Sequence, residues 1–263
     1  MNLNIFIAII SVVMSIAVVI VSEKSKKEKT ESINNSIQNK LNNPHASSEE
    51  IKLAYKHETG KIPFNTNHKE GTSLEYKVFK TLYRYEGKVL SNLYVDKIDN
   101  TDTEIDVVFI HNTGIYVIEC KDRRCLKVVG DEQEKQWDCV YSKKFIRKMY
   151  NPLKQNLSHI VALKNILRGK CSHDCYTSVV VINCGNIESM YNSNFDNYYQ
   201  QIVIPNKLKQ HIDSLIKNKP RIFSDEEIID IYKYLHESYA NASLKVKKAH
   251  KIHIKNISNK SKN

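Results

Sequence analysis

Residues 103–121 read TEIDVVFIHNTGIYVIECK. Two apolar runs rich in β-branched residues flank His111-Asn112-Thr113-Gly114, a pattern that predicts a β-hairpin. If the chain turns between Asn112 and Thr113, the numbers of facing residues sum to 225. Asp106 then lies opposite Glu119, and Glu104 lies opposite Lys121. Because residues two apart in a strand share a face, all four side chains are expected on one side of the sheet.

The four charges interrupt apolar strands, where an uncompensated charge is costly. Directly opposed residues have Cβ atoms about 4.5–5.5 Å apart, so two carboxylates there repel unless they share a proton or bind a divalent cation. Mg²⁺ held by Asp106 and Glu119 would suit phosphodiester hydrolysis, with Lys121 orienting a water or stabilising negative charge. Two alternatives stay open: a Glu104–Lys121 salt bridge with Asp106 facing water, or a three-residue loop that moves Asp106 to the other face.

The flanking sequence predicts one α/β domain over residues 71–240. Apolar spacing indicates a helix at 73–85, and Asn151-Pro152 is a favourable start for a helix that runs to about 168. Ser224 and Glu227 have the spacing of a capping box for a helix at 224–239. The other predicted elements are strands at 89–95, 126–129, 176–183 and 201–204, and a helix at 206–217.

The N-terminal region predicts a membrane anchor over residues 1–22. Residues 5–21 contain no charged residue and approach the thickness of a bilayer core as a helix. Lysines follow the run and none precedes it, which favours a single-pass protein of the cell membrane with its C-terminal domain in the cytoplasm. A cleaved signal peptide, and hence a secreted protein, is the alternative.

Composition adds less than these patterns. The net charge is +11, but seven lysines and no acid lie in residues 241–263, so the excess is concentrated in a basic tail. That tail could contact phosphates or anionic lipid, or be a solvated extension. Residues 23–70 are polar and predict a linker with one short helix. The chain lacks the sequence patterns of P-loop, dinucleotide-binding, serine-hydrolase and zincin sites.

Several short segments follow one another along the chain: Gly71-x-x-x-Glu75, Glu104-Ile105-Asp106, Ile118-Glu119-Cys120-Lys121, Gly130, Trp137, Asn151-Pro152-Leu153-Lys154-Gln155 and His159. In this order they resemble the nuclease-related domain (NERD) of the PD-(D/E)xK nuclease superfamily.

This resemblance implies a restriction-endonuclease-like mixed central sheet flanked by helices, and Mg²⁺- or Mn²⁺-dependent cleavage of nucleic acid, with DNA the expected substrate. It implies that Asp106 and Glu119 bind the metal, that Lys121 is catalytic and that Glu75 is a further carboxylate. Lys154, Gln155 and His159 become candidate substrate contacts, although a capping role for Gln155 and a solvent-facing position for Glu75 remain open. A module on this fold that binds nucleic acid or protein without cutting it is the rival hypothesis.

Two other features have simple interpretations. The six cysteines predict free buried thiols, with a zinc or iron–sulfur site at Cys171, His173 and Cys175, completed by Cys125 or Cys139, as the alternative. Trp137 is expected to be a packing anchor or, alternatively, a base-stacking residue.

Overall fold

The structure is a computed structural model that describes residues 3–60, 72–96, 102–171, 174–189 and 200–240. The chain divides into two compact units, residues 1–40 and residues 41–263. The predicted basic tail at 241–263 lies outside the described residues, and its contacts with lipid or phosphate stay a prediction.

The first unit is helix α1, Leu3–Asn39. The predicted anchor falls on this helix, but the side chains of residues 1–13 are outside the described part. Within the part that the structure describes, no helix has the length and hydropathy of a membrane-spanning segment. The transmembrane character of residues 1–22 therefore has no support from the structure.

The described residues of the second unit form a mixed α/β domain in which helices flank a seven-stranded sheet. The strands are β1 (Lys88–Asp96), β2 (Asp102–His111), β3 (Gly114–Gly130), β4 (Gln136–Ser142), β5 (Phe145–Tyr150), β6 (Tyr176–Ser189) and β7 (Gln200–Val203). The helices are α2 (Ser48–Thr59), α3 (Thr72–Leu82), α4 (Pro152–Ile166), α5 (Leu208–Lys217) and α6 (Asp225–Leu235), with a 3₁₀ turn at Pro205–Lys207 and a π-helical turn at His236–Ala240.

Strand β3 organises the sheet because both of its edges are paired. Strand β6 runs parallel to it along one edge, from Ile115 to Gly130, and β7 extends the sheet beyond β6 in the same direction. The other edge is divided between two antiparallel partners: β2 pairs with residues 114–118 and β4 with residues 127–129. Between these partners β3 shifts register at Asp122/Cys125, and Arg124 takes a left-handed φ of 51°. Residues 119–126 of β3 thus lie between the end of the β2 ladder and the start of the β4 ladder. At these residues the sheet forks, with β2 on one branch and β4 on the other.

Two apolar clusters hold the helices on the sheet. The larger contains strand residues such as Leu90 and Ile105, together with Leu163 of α4 and Tyr232 of α6. The smaller surrounds Trp137, whose Nε1 donates to the Asp131 carbonyl at 2.7 Å. The indole is 1% exposed, so Trp137 is a packing anchor and does not present a face for base stacking.

Helix α2 lies in residues predicted as a linker, yet it is part of the packed domain. Its start carries the capping box of Ser47 and Glu50, and its apolar side, Ile51, Ala54 and Tyr55, is fully buried. The Tyr55 ring meets Phe79 of α3 edge to face with centroids 5.2 Å apart. Helix α2 is mostly polar, and it thus supplies one buried apolar stripe to the core.

The hairpin and the main helix starts agree with prediction. The β2–β3 ladder runs from Val107–Ile118 to His111–Gly114, which is the expected sum of 225. Asn151 caps α4 with Pro152 at its first position, and Ser224 forms a capping box with Glu227 at α6. Strands β4 and β5 were not predicted, and the short strand expected at 126–129 is the outer part of β3.

Candidate functional site

The fork in the sheet brings the predicted acids together. The β2–β3 ladder ends at Val107–Ile118, one pair before Asp106 and Glu119 would face each other. At that point Asp106 Oδ2 accepts a hydrogen bond from the Cys120 backbone N–H at 2.7 Å. The Asp106 carboxylate therefore links β2 to β3 where their backbone pairing stops. Beyond this point Glu119 and Lys121 remain paired with β6.

Lys121 is held by two side chains. Its Nζ lies 2.5 Å from Glu119 Oε1 and donates to Gln155 Oε1 at 2.9 Å. Glu119 and Lys121 are two residues apart and so share a face of β3. The lysine pairs with Glu119, whereas Glu104, the partner in the alternative interpretation, lies across from Tyr94 of β1.

Asn92 contacts a second pair of acids, Glu75 and Glu104. Its Nδ2 lies 3.1 Å from Glu104 Oε1 and 3.5 Å from Glu75 Oε2, which belongs to the first turn of α3. Ser91 and Leu93 pair with Val107 and Ile105, so Asn92 stands opposite Asp106 in the register. Its backbone is left-handed, with φ of 55° inside a strand. Left-handed backbone at a non-glycine residue is uncommon and clusters at functional sites.

Burial shapes the protonation of the two central acids. Burial and then the charge of Glu119 raise the pKa of Asp106 well above its usual value, while Lys121 acts in the opposite direction. Burial likewise raises the pKa of Glu119, and the neighbouring ammonium of Lys121 partly opposes it. Groups placed this way bind a cation in competition with protons.

The candidate substrate contacts occupy different environments. His159 is 1% exposed, and its Nδ1 lies 3.4 Å from Glu119 Oε2, so the imidazole is buried against the Glu119 carboxylate. Gln155 is engaged with Lys121. The ammonium of Lys154 donates to the Gln133 carbonyl at 2.5 Å, on the loop between β3 and β4. Sequence reasoning placed all three near the start of α4 but did not distinguish these roles.

The donor set fits a hard divalent cation. Asp106 and Glu119 offer carboxylate oxygens, the ligands that Mg²⁺ and Mn²⁺ prefer. Glu119 Oε2 is buried and makes no hydrogen bond among the described residues, although His159 Nδ1 lies 3.4 Å from it. A buried carboxylate oxygen without a hydrogen bond is an available ligand position.

The cysteine alternative is not assembled. Cys171 and Cys175 belong to the larger apolar cluster, whereas Cys125 and Cys139 belong to the smaller one. All six thiols are free, and His173 lies outside the described residues. The combination of ligands that this alternative required is therefore not present in the described structure.

The site is thus a carboxylate–lysine cluster at a fork in a mixed sheet. Residues 70–183 match the model of the nuclease-related domain, a segment that begins just before α3 and ends in β6. This match confirms the predicted resemblance for residues 70–183. No curated protein and no solved structure gives a significant match to the chain.

Asn92 and Tyr94 are the site residues that sequence reasoning missed. Burial and the adjacent Glu104 raise the pKa of Tyr94, so its hydroxyl stays protonated beside the acids. Neither residue carries a distinctive local pattern: Asn92 interrupts an apolar strand, and Tyr94 reads as an ordinary strand aromatic. Alternation with Leu93 and Val95 was the available signal that Asn92 and Tyr94 share a face.

Proposed function

We propose that this domain is a divalent-metal-dependent nuclease that hydrolyses phosphodiester bonds of DNA on a restriction-endonuclease-like scaffold. The observation that carries the proposal is the placement of Asp106 and Glu119 at the fork with the Lys121 ammonium 2.5 Å from Glu119. Mg²⁺ or Mn²⁺, when bound to these carboxylates, would polarise a phosphoryl oxygen and lower the pKa of a bound water.

The side chains have separate tasks in this proposal. Lys121, held by Glu119 and Gln155, keeps a positive charge next to the position where negative charge develops on the phosphoryl group. Water supplies the oxygen that bonds to phosphorus, and the ester oxygen leaves with a proton. Asn92 holds Glu75 and Glu104 at the edge of the site, where they add negative potential that favours a cation.

The first experiment is plasmid nicking by the full chain with Mg²⁺, Mn²⁺ or EDTA. We expect nicking with either metal and none with EDTA. Asp106→Asn should reduce the rate by about 10²-fold or more, the scale of losing one electrostatic element of an active site. Asp138→Asn is the matched control, because Asp138 is an acid on β4 paired with Lys148 and removed from the fork.

The rival function is a module that binds nucleic acid or protein without cutting. Gel-shift measurements with the same DNA in Ca²⁺ separate the two. Binding without cleavage in any divalent metal, unchanged by Asp106→Asn, would favour the rival. The complete set of acids and lysine favours catalysis, because binding alone does not require carboxylates beneath an anionic ligand.

We further propose that the N-terminal helix anchors the domain at the cytoplasmic side of the cell membrane, where the basic tail could meet anionic lipid. The support is the sequence: residues 5–21 are uncharged and lysines follow. Alkaline extraction of membranes should leave the full chain in the pellet, and Val12→Asp with Val19→Asp should release it. Release of the unaltered chain would contradict the anchor.

A further inference from the structure

A second polar cluster lies away from the acids and the lysine, where α2 ends and the π-helical turn begins. It consists of His57, Glu58 and His236. One potential ligand atom from each residue lies within 4.8 Å of the others, and within the described residues this is the only group of three or more acid, histidine or cysteine side chains so arranged. All three residues lie outside the segment that matches the nuclease-related domain.

We propose that these three residues bind a transition-metal ion of the zinc class. Two imidazoles and one carboxylate suit Zn²⁺, Co²⁺ or Ni²⁺, whereas Mg²⁺ prefers oxygen ligands alone. The site is therefore distinct in chemistry from the pair of carboxylates at the fork of the sheet.

The two imidazole nitrogens lie beside different oxygens of Glu58, and one potential ligand atom from each residue lies within 4.8 Å of the others. His57 Nδ1 lies 3.4 Å from Glu58 Oε1, and His236 Nε2 lies 3.9 Å from Glu58 Oε2. Ligands with bonds of about 2.0–2.1 Å in a tetrahedral site stand roughly 3.3 Å apart. The two imidazole rings are stacked, with centroids 5.1 Å apart and planes inclined by 10°, so the rings must rotate for both nitrogens to face one ion.

A second observation points to a ligand. The Glu58 side chain is 2% exposed, and its Oε2 has no hydrogen-bond partner among the described residues. The other oxygen accepts a hydrogen bond from the Tyr232 hydroxyl at 2.5 Å. A tyrosine that fixes one carboxylate oxygen while the other remains available is the outer-sphere support expected of a metal ligand.

Positive charge near Glu58 opposes the binding of a metal ion. Lys88 is buried with its Nζ 4.0 Å from the centroid of the Tyr232 ring, and it already places positive charge near Glu58. Lys233 and Glu237 lie along the same helical end as His236. A dication adds to the charge of Lys88, so we expect an affinity below that of a four-ligand structural zinc site.

The bound ion would join two segments that are far apart in sequence. His57 and Glu58 belong to the last turn of α2, and His236 follows α6 directly. An ion that binds the folded chain and not the unfolded one stabilises it by mass action. The expected role is a structural link between α2 and the end of α6.

The test uses the full chain after treatment with EDTA. Co²⁺ titration should give saturable d–d absorption, and Zn²⁺ should abolish it by competition and raise the unfolding temperature. Glu58→Gln and His236→Ala should each weaken Co²⁺ binding by at least tenfold. His45→Ala, an exposed histidine before α2, should leave binding unchanged.

A readout on the unaltered chain covers variants that fail to fold. Zn²⁺ should protect His57 and His236 from diethyl pyrocarbonate, measured on peptides, while His45 continues to react. Absence of saturable Co²⁺ binding, or equal modification of His57 and His236 with and without Zn²⁺, would overturn the proposal. Neither result depends on nuclease activity, so failure here is distinguishable from failure of the proposed function.

Discussion

The Lys121 ammonium lies 2.5 Å from Glu119 Oε1, two residues back on the same strand. The lysine side chain is 15% exposed and the glutamate 2%, so the pair sits at the boundary between the core and solvent. Burial favours the protonated carboxyl of Glu119, and the ammonium favours the ionised one. Lys121 therefore helps to keep a buried carboxylate able to bind a cation.

Lys121→Met tests this dependence. The substitution removes a charge that lowers the pKa of Glu119 and of Asp106, so both carboxyls should hold their protons to higher pH. We expect a nicking rate about 10²-fold lower and an acidic limb of the pH–rate profile displaced to higher pH.

The matched control is Lys127→Met. Lys127 is the next lysine along β3, and it is half-buried and paired with Glu188. Its replacement should leave rate and profile unchanged. An unshifted acidic limb in Lys121→Met would show that the ammonium does not govern the carboxyl groups.

Asp106 should reduce stability in the absence of metal. The pKa of Asp106 is raised in the folded chain, so the folded state tolerates the protonated carboxyl better than the ionised one. Stability is therefore highest below the pKa that Asp106 has in the unfolded chain, and it falls as pH rises through the pKa that Asp106 has in the folded chain. Asp106→Asn should therefore raise the free energy of unfolding by about 0.5–2 kcal/mol at pH 8 and by much less near pH 4.

Urea unfolding in EDTA at both pH values measures the effect of Asp106→Asn, with Asp138→Asn as the control. Mg²⁺ should stabilise the unaltered chain and not Asp106→Asn. Equal stability of the two chains at pH 8 in EDTA would contradict the burial argument.

Asn92 combines a backbone role with a side-chain role, and two variants separate them. Glycine adopts the left-handed backbone freely, whereas alanine does so at a cost of about 1–2 kcal/mol. We expect Asn92→Ala to be about 1 kcal/mol less stable than Asn92→Gly by urea unfolding. Both should nick more slowly, because neither holds Glu75 and Glu104. A fully active glycine variant would limit Asn92 to its backbone role.

Asn151 links the start of α4 to the loop after β3 and is fully buried. Its Oδ1 accepts from the backbone N–H groups of Leu153 and Lys154, and its Nδ2 donates to three carbonyl groups, those of residues 131, 132 and 134. Asn151→Asp keeps the cap but turns a charged oxygen toward those carbonyls.

We expect Asn151→Asp to lower the free energy of unfolding by about 3–5 kcal/mol at pH 8 and by less at pH 5, where the carboxyl can be protonated. Asn151→Ala should lose stability without this pH dependence. Thermal unfolding at the two pH values checks both expectations, and identical pH dependence of the two variants would argue against the carbonyl contacts.

Local patterns predicted the centre of the fold. The turn residues around Asn112 fixed the hairpin register, and Asn151-Pro152 and Ser224 marked helix starts because capping depends on neighbouring residues. The nuclease-related family and the clustering of Asp106, Glu119 and Lys121 followed from that register together with the order of the matching segments.

Features that depend on distant contacts were not predictable. Strand β5 reads FIRKMY and is mostly exposed, so it lacks the alternation that marks a half-buried strand. The β2–β3 ladder ends beside Asp106, and β4 pairs with the same edge of β3 only farther along. The left-handed Asn92 and the cluster of His57, Glu58 and His236 have no signature in a single sequence.

The burial of α2 also determines where a stable fragment can begin. The family match starts at residue 70, but Tyr55 fills space against Phe79, and the compact unit starts at Leu41. A fragment cut at the edge of the match would expose the apolar side of α3 to water and tend to aggregate. Expression trials should therefore place the first residue at or before 41, and low solubility of a shorter piece would carry no information about activity.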